Sequence, residues 1–187
     1  MSAATPAYGM ALFDTALGRC GIAWGPVGIV GLQLPGRDDD ATRARLRALR
    51  PRMADAPVPE PVRRACAAVA RLLRGDAAEL RDVPLDMEAV PPFDRSVYAA
   101  ARAVAPGATV TYGELARRCG TPGAARAVGG ALARNPFAVI VPCHRVVAAA
   151  GRPGGFSAPG GVAVKMRLLA IERSAGSTGT TLPVHPG

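Results

Sequence analysis

An apolar run that stops at a proline and then presents a cysteine beside a histidine constrains this chain more than any other feature. Phe137-Ala138-Val139-Ile140-Val141 is followed directly by Pro142-Cys143-His144-Arg145. A short continuous apolar run reads as a buried strand, and the proline ends it. Such a strand delivers a thiol to a place where a base can deprotonate it, and the thiolate is the nucleophile. Adjacent residues of an extended strand point to opposite faces. Cys143 and His144 therefore need a bend, or a bridging water, to act together. The competing reading makes Cys143 a small buried hydrophobe.

The 187 residues allow one medium domain or two small ones with a sizeable core. No apolar run approaches the length that spans a bilayer. The opening residues Met1-Ser2-Ala3-Ala4-Thr5-Pro6 show neither a charged n-region nor an apolar h-region. The expected location is the cytoplasm, with no membrane partner. Cys20, Cys66, Cys119 and Cys143 lack CxxC spacing, so reduced thiols are expected rather than a zinc knuckle or a disulfide framework.

Charge is unevenly spread. Residues 1–90 carry 12 Arg against 11 Asp and Glu, while residues 91–187 carry 10 Arg and Lys165 against only Asp94, Glu114 and Glu172. The second half thus holds eight of the nine net positive charges. A uniform compositional bias would not concentrate the excess in this way. A basic half points to a polyanion, most often nucleic acid. The plainer alternative is a solvated basic surface.

Ala7–Asp14, Gly21–Trp24 and Val27–Leu34 read as short antiparallel strands. A helix is predicted from Asp38-Asp39-Asp40 to Leu49, and another over Pro59–Leu73 with Val62, Cys66, Val69 and Leu73 on one face. Ala77–Leu85 is a further strand or an irregular segment. Val90-Pro91-Pro92 marks a hinge, since paired prolines stop helices and central strands. Pro92–Val104 reads as a helix. Thr111-Tyr112-Gly113-Glu114 is a capping box opening a helix to Cys119. Gly120 breaks that helix, and Thr121-Pro122 is expected to cap a second one over Gly123–Arg134. Two short helices joined by a tight turn in a basic region form a helix-turn-helix pattern. Gly129 and Gly130 inside the second helix each cost about 1 kcal/mol relative to Ala. Close approach of a neighbouring helix explains them, and so does close approach of a DNA groove.

Several blocks together resemble one family. They are Thr111–Ala116, Ala124–Ala131, Arg134-Asn135-Pro136, Val141–Val147, and Gly155-Phe156-Ser157 through Lys165 to Leu168-Leu169-Ala170-Ile171-Glu172. In order and spacing they resemble the O6-alkylguanine-DNA alkyltransferases, the methylated-DNA–protein-cysteine methyltransferases. The resemblance implies a two-domain α+β and α/β fold. Residues 1–90 would form a ribonuclease-H-like unit with a small antiparallel sheet and helices. Residues 91–175 would form a mostly helical, winged helix-turn-helix unit carrying DNA binding and catalysis, and residues 176–187 a flexible tail.

The resemblance also implies a reaction. The protein would flip O6-alkylguanine (with O4-alkylthymine open as a second substrate) out of the duplex and move the alkyl group to Cys143, once and irreversibly. His144 would be the base acting through a water, Glu172 its support, and Asn135 the residue holding the turn before the nucleophile. Tyr112 would hydrogen-bond the flipped base, with Val146, Phe156, Ser157 and Lys165 completing its surroundings. Arg126 would fill the vacated stack. Ala125, Ala127, Gly129 and Arg134 would accompany it along the minor groove. Neither a metal nor an organic cofactor is implied, and a monomer is expected. The segment Gly155–Gly161 is longer than the family's shorter closing loop and carries Phe156 in place of Tyr. Two other classes compete: a non-catalytic lesion-binding module, disfavoured because Cys143 occupies the nucleophile position, and a cysteine hydrolase, disfavoured by the basic half and the helix pair.

Overall fold

Short strands punctuated by glycine and proline, followed by helices with small interfacial residues, fold here around one large core, with a second small cluster of Met10, Ala23, Val30, Leu46 and Met53. A computed structural model describes residues 8–177. Strands β1 (Gly9–Thr15), β2 (Gly18–Trp24) and β3 (Ile29–Gln33) form an antiparallel meander. Gly18, at φ 113°, permits the two-residue connection from β1. Helix α1 (Asp39–Leu49) is capped by Asp38, whose side chain accepts the Ala41 amide at 2.7 Å. It carries the chain back across the sheet, so β4 (Ala54–Asp55) joins β1 in parallel. The sheet is therefore mixed, in the order β3-β2-β1-β4, rather than purely antiparallel.

Helix α2 (Glu60–Arg74) buries Val62, Val69 and Leu73 and stops at Gly75, which takes φ 91°. Residues 77–83 are irregular. Pro84 and Asp86 then bracket a single bridge to β3, with Ile29 donating to Pro84 O and accepting from the Asp86 amide.

Proline at the first turn launches α3 (Pro92–Arg102). Its last residue, Arg102, donates to the carbonyls of Leu80 and Val83 at 2.9 Å each. Next come β5 (Val110–Thr111), α4 (Tyr112–Arg118) and α5 (Ala125–Ala133). The capping box of α4 forms as expected: Thr111 Oγ1 accepts the Glu114 amide, and Glu114 accepts the Thr111 amide. The start of α5 differs from expectation. Gly120 and Gly123 both adopt left-handed backbone, so the chain is still turning at residue 123. The Thr121 hydroxyl bonds back to Ala116 O and does not cap α5.

After a 3₁₀ turn over Cys143–Arg145, β6 (Val146–Val147) pairs with β5 in parallel. Among the described residues this two-residue ladder is the only regular strand pairing beside the helix pair, so an antiparallel hairpin wing is not formed. Helix α6 (Gly161–Ser177) closes the described chain. It runs into the segment expected to be a tail. Residues 178–187, like Ala7 at the start of the first expected strand, lie outside the described residues.

Ile22, Leu32 and Val69 pack in the same apolar cluster as Val97, Tyr98, Leu115, Phe137, Val141 and Leu168, so one core links the sheet to the helices. Among the described residues no helix is long and apolar enough to cross a membrane.

Candidate active site

Phe137–Val141 is buried as its composition demands, yet it is not a strand. The segment doubles back on itself. The Val141 amide donates to Phe137 O and the Ile140 amide to Ala138 O, both at 2.8 Å, while Val139 sits at φ 70°. Left-handed backbone is unfavourable for a β-branched residue and persists only where its surroundings fix it. Asn135 supplies that fixing. Its Oδ1 accepts the Phe137 amide and its Nδ2 donates to Val141 O, both at 2.9 Å. One side-chain amide thus takes the place of a neighbouring strand. The start of the segment is held from the other side by β3, where Leu32 donates to Pro136 O and accepts from the Ala138 amide.

The bend that Cys143 and His144 require follows at once. The Cys143 amide donates to Val141 O, Arg145 donates to Pro142 O, and the 3₁₀ turn sends the two side chains in separate directions. Cys143 is half-buried and lines a cavity of about 260 Å³ with Tyr112, Gly129, Leu132, Ala133, Gly155, Phe156 and Ser157. His144, 1% exposed, turns inward toward Glu172, 4% exposed on α6.

Glu172 is the most heavily bonded side chain of the site. His144 Nε2 lies 2.9 Å from its Oε1, Arg145 forks onto both oxygens at 2.8 and 3.0 Å, and the Gly107 amide donates to Oε2 at 3.0 Å. Burial alone would raise its pKa, but the bonds from His144 and Arg145 override it and pull the carboxyl down to about 2. An ionised Glu172 makes His144 Nε2 the proton-bearing nitrogen, as the hydrogen-bond network assigns it. Nδ1 is then the basic nitrogen, and it is buried with no partner among the described residues. Burial lowers the His144 pKa, against the pull of Glu172, so the ring is neutral near pH 7.

Burial pushes the Cys143 thiol upward. It is opposed by the Asn135 side chain, by the Lys165 ammonium and by the backbone amides of Cys143 and His144. The resting group is a protonated thiol, which needs a base to react at neutral pH.

The other predicted residues fall into three groups. Tyr112, Phe156, Ser157 and Gly129 line the cavity with Cys143. The Tyr112 hydroxyl lies 3.5 Å from Gly155 O, and burial raises its pKa. Arg126 and Ala127 are exposed on α5, and Ala125 is half-buried beside them. A methyl group on Gly129 would meet Tyr112 only at an ordinary 3.8 Å, and one on Gly130 would meet Arg134 at 3.5 Å, so no neighbouring helix explains these two glycines.

Val146 and Lys165 do not line the cavity, and Arg134, exposed at the end of α5, has an acidic partner of its own. Val146 is buried in β6, and its carbonyl accepts Lys165 Nζ at 2.6 Å. Lys165, fully buried, also donates to Gly155 O at 3.2 Å and stands 5.8 Å from the centre of the Tyr112 ring. It therefore ties the loop at Gly155 to the turn after Cys143. Arg134 forks onto Asp94 at 2.9 and 3.0 Å.

Arg145 and Gly107 were not singled out by sequence reasoning. Arg145 could have been, as the one cation adjacent to the Cys-His pair. The Gly107 amide could not, because a backbone donor leaves no residue-type signal. Among the described residues no group of three or more His, Cys, Asp or Glu side chains could hold a metal.

A thiol on a cavity wall, backed by a buried histidine and carboxylate and set beside two short packed helices, defines the site of a cysteine nucleophile. Residues 92–174 match the family described as 6-O-methylguanine DNA methyltransferase, DNA binding domain. A methylated-DNA–protein-cysteine methyltransferase of Mycolicibacterium paratuberculosis is 39% identical over 159 residues, covering 84% of this chain and 93% of that protein. The regulatory protein ada of Salmonella typhimurium is 38% identical over 166 residues, which take up 87% of this chain and 44% of that protein. Among solved structures, Mycobacterium tuberculosis OGT in complex with DNA superposes with a TM-score of 0.74 at 31% identity, covering 89% of this chain and 94% of that one. The chain belongs to the methylated-DNA–protein-cysteine methyltransferase family.

Proposed function

We propose that the protein repairs DNA by moving the alkyl group of O6-alkylguanine to Cys143. The observation that carries this reading is the placement of Cys143 on the cavity wall, with the neutral His144 and the ionised Glu172 buried behind it. At about 260 Å³ the cavity has room for a single base, which in this scheme leaves the stack to reach Cys143. The exposed Arg126 then occupies the vacated space, while Ala125, Ala127 and Gly129 let α5 lie close along the minor groove. The glycines at 129 and 130, unexplained by internal packing, support that approach.

The chemistry balances without a cofactor. His144 Nδ1 takes the Cys143 proton through a water, and the imidazolium formed is stabilised by Glu172. The sulfur attacks the alkyl carbon, the bond from that carbon to O6 breaks, and its electron pair goes to the guanine. Tyr112 hydrogen-bonds the base and assists its departure. A thioether forms, and no group of this site can cleave it, so each molecule reacts once. Residues 1–90 and 91–175 are read as two units, and the first anchors the active-site turn through the Leu32 bridge. A monomer acting in the cytoplasm fits this scheme.

The test is the intact mass of the protein after incubation with a duplex holding one O6-methylguanine, beside Cys143→Ser. A gain of about 14 Da on Cys143 in the wild type alone is expected for transfer of one methyl group in exchange for the thiol proton. Lesion-specific binding with no gain would instead make the protein a recognition module.

A further inference from the structure

Asp94 is 2% exposed at the first turn of α3, and its carboxylate receives both prongs of the Arg134 guanidinium. The Arg134 side chain is 61% exposed, so its charge is free to extend into solvent and is instead held against the protein. Arg134 is the C-cap of α5 and the residue immediately before Asn135. A second tie from α3 to the same end of α5 runs from the Tyr98 hydroxyl to Ala131 O at 3.0 Å. From Asn135 the chain of contacts continues through the Phe137 amide and Val141 O to the turn that presents Cys143. Leu132 and Ala133, on the last turn of α5, line the same cavity as the thiol.

We infer that Asp94 is a positioning residue for the alkyl transfer: through Arg134 it fixes the end of α5 and hence the Asn135 clamp that aims Cys143 into the cavity. This inference rests on the proposed function. A bidentate guanidinium–carboxylate pair sets distance and orientation together, which a single contact cannot do. Asn at position 94 keeps the shape but turns an amide N–H₂ toward the guanidinium, so the fork is lost.

The test is single-turnover methyl transfer from O6-methylguanine duplex by the wild type, Asp94→Asn, Arg134→Ala and the double variant. The rate at saturating duplex and the half-saturating duplex concentration are read separately. Both single variants are expected to lose about tenfold in the saturating rate, with the half-saturating concentration little changed. The double variant is expected to lose no more than either single variant, because the two residues act as one unit. Amide exchange supplies a readout independent of the chemistry. The Phe137 amide, held by Asn135, should exchange faster in each variant, while the β1–β2 amides stay as in the wild type. Arg134→Lys keeps the charge without the fork and serves if Asp94→Asn does not fold, with a smaller loss expected. Wild-type saturating rates in both Arg134 variants, additive losses in the double variant, or equal loss of protection in β1–β2 and at Phe137 would each overturn the inference. Absence of methyl transfer by the wild type would overturn the proposed function instead, leaving the exchange at Phe137 to judge Asp94.

Discussion

His144 Nε2 lies 2.9 Å from Glu172 Oε1, and Arg145 grips the same carboxylate from the other side. The carboxylate therefore carries two tasks: it fixes which imidazole nitrogen holds the proton, and it neutralises a buried guanidinium. Removing its charge strands Arg145 in the interior. Glu172→Gln is expected to lower stability at pH 7 by about 3 kcal/mol, the lower end for breaking a buried ion pair. The gap should depend on pH. Glu172 has its pKa depressed in the folded state to about 2 from 4.5, so its stabilisation is complete above the unfolded value and fades as pH falls toward 2. About 2 kcal/mol of the difference between wild type and Glu172→Gln should be gone by pH 3, as urea unfolding midpoints across that range would show. His144, also depressed, begins to withdraw stability from the wild type once pH drops below 6.5.

The raised pKa of Cys143 leads to a second expectation. A thiol poised as a thiolate would react with iodoacetamide at a rate already level near neutral pH. Cys143 should instead show a rate still climbing above pH 9, followed by mass spectrometry of its peptide. A plateau below pH 7 would mean that the lowering influences of Asn135 and Lys165 outweigh desolvation, and that the duplex finds the nucleophile already ionised.

How much of this was legible in the sequence depends on which residues carried it. The capping box at Thr111 and Glu114 and the helix beginning at Pro92 are local and readable within a few positions, whereas at Cys143 and His144 the sequence left a bend or a bridging water open and the structure shows the bend. Phe137–Val141 was misread as a strand because five apolar residues announce burial, not conformation. The conformation comes from the Asn135 side chain, which satisfies the two backbone groups a partner strand would have met. The parallel pairing of β4 was likewise hidden, since two exposed residues, Ala54 and Asp55, carry no strand pattern. The sequence presents Arg134 as a charged group along the second helix, placed to meet a DNA groove, and not as half of an ion pair. Its partner Asp94 lies 40 positions away, and only the packing of α3 on α5 brings the two together.

The Asn135 clamp can be removed directly. Asn135→Ala leaves the Phe137 amide and the Val141 carbonyl without their side-chain partner in a buried turn that already contains left-handed Val139. The Val141 carbonyl keeps its bond from the Cys143 amide, so the buried Phe137 amide is the group left unmet, and the loss of its bond is expected to lower stability by about 1–3 kcal/mol. Transfer should fall further than stability explains, because Val141 O also receives the Cys143 amide and so sets the place of the thiol. Urea unfolding gives the first quantity. The saturating transfer rate, measured where the variant remains folded, gives the second.

Arg126 offers a test of base flipping that does not depend on any contact at the reacting atoms. It stands exposed on α5, outside the residues that line the Cys143 cavity. If its guanidinium fills the space a flipped base leaves, its value is confined to substrates with a stack to fill. Unstacking and unpairing a base takes a few kcal/mol, so Arg126→Ala should slow transfer from duplex O6-methylguanine by about 100-fold. The same variant should react with the free base O6-methylguanine at the wild-type rate, since that ligand enters the cavity with nothing to replace. Parallel losses on both substrates would mean that Arg126 acts on the cavity itself. An unchanged duplex rate would leave the extrusion to another residue of α5.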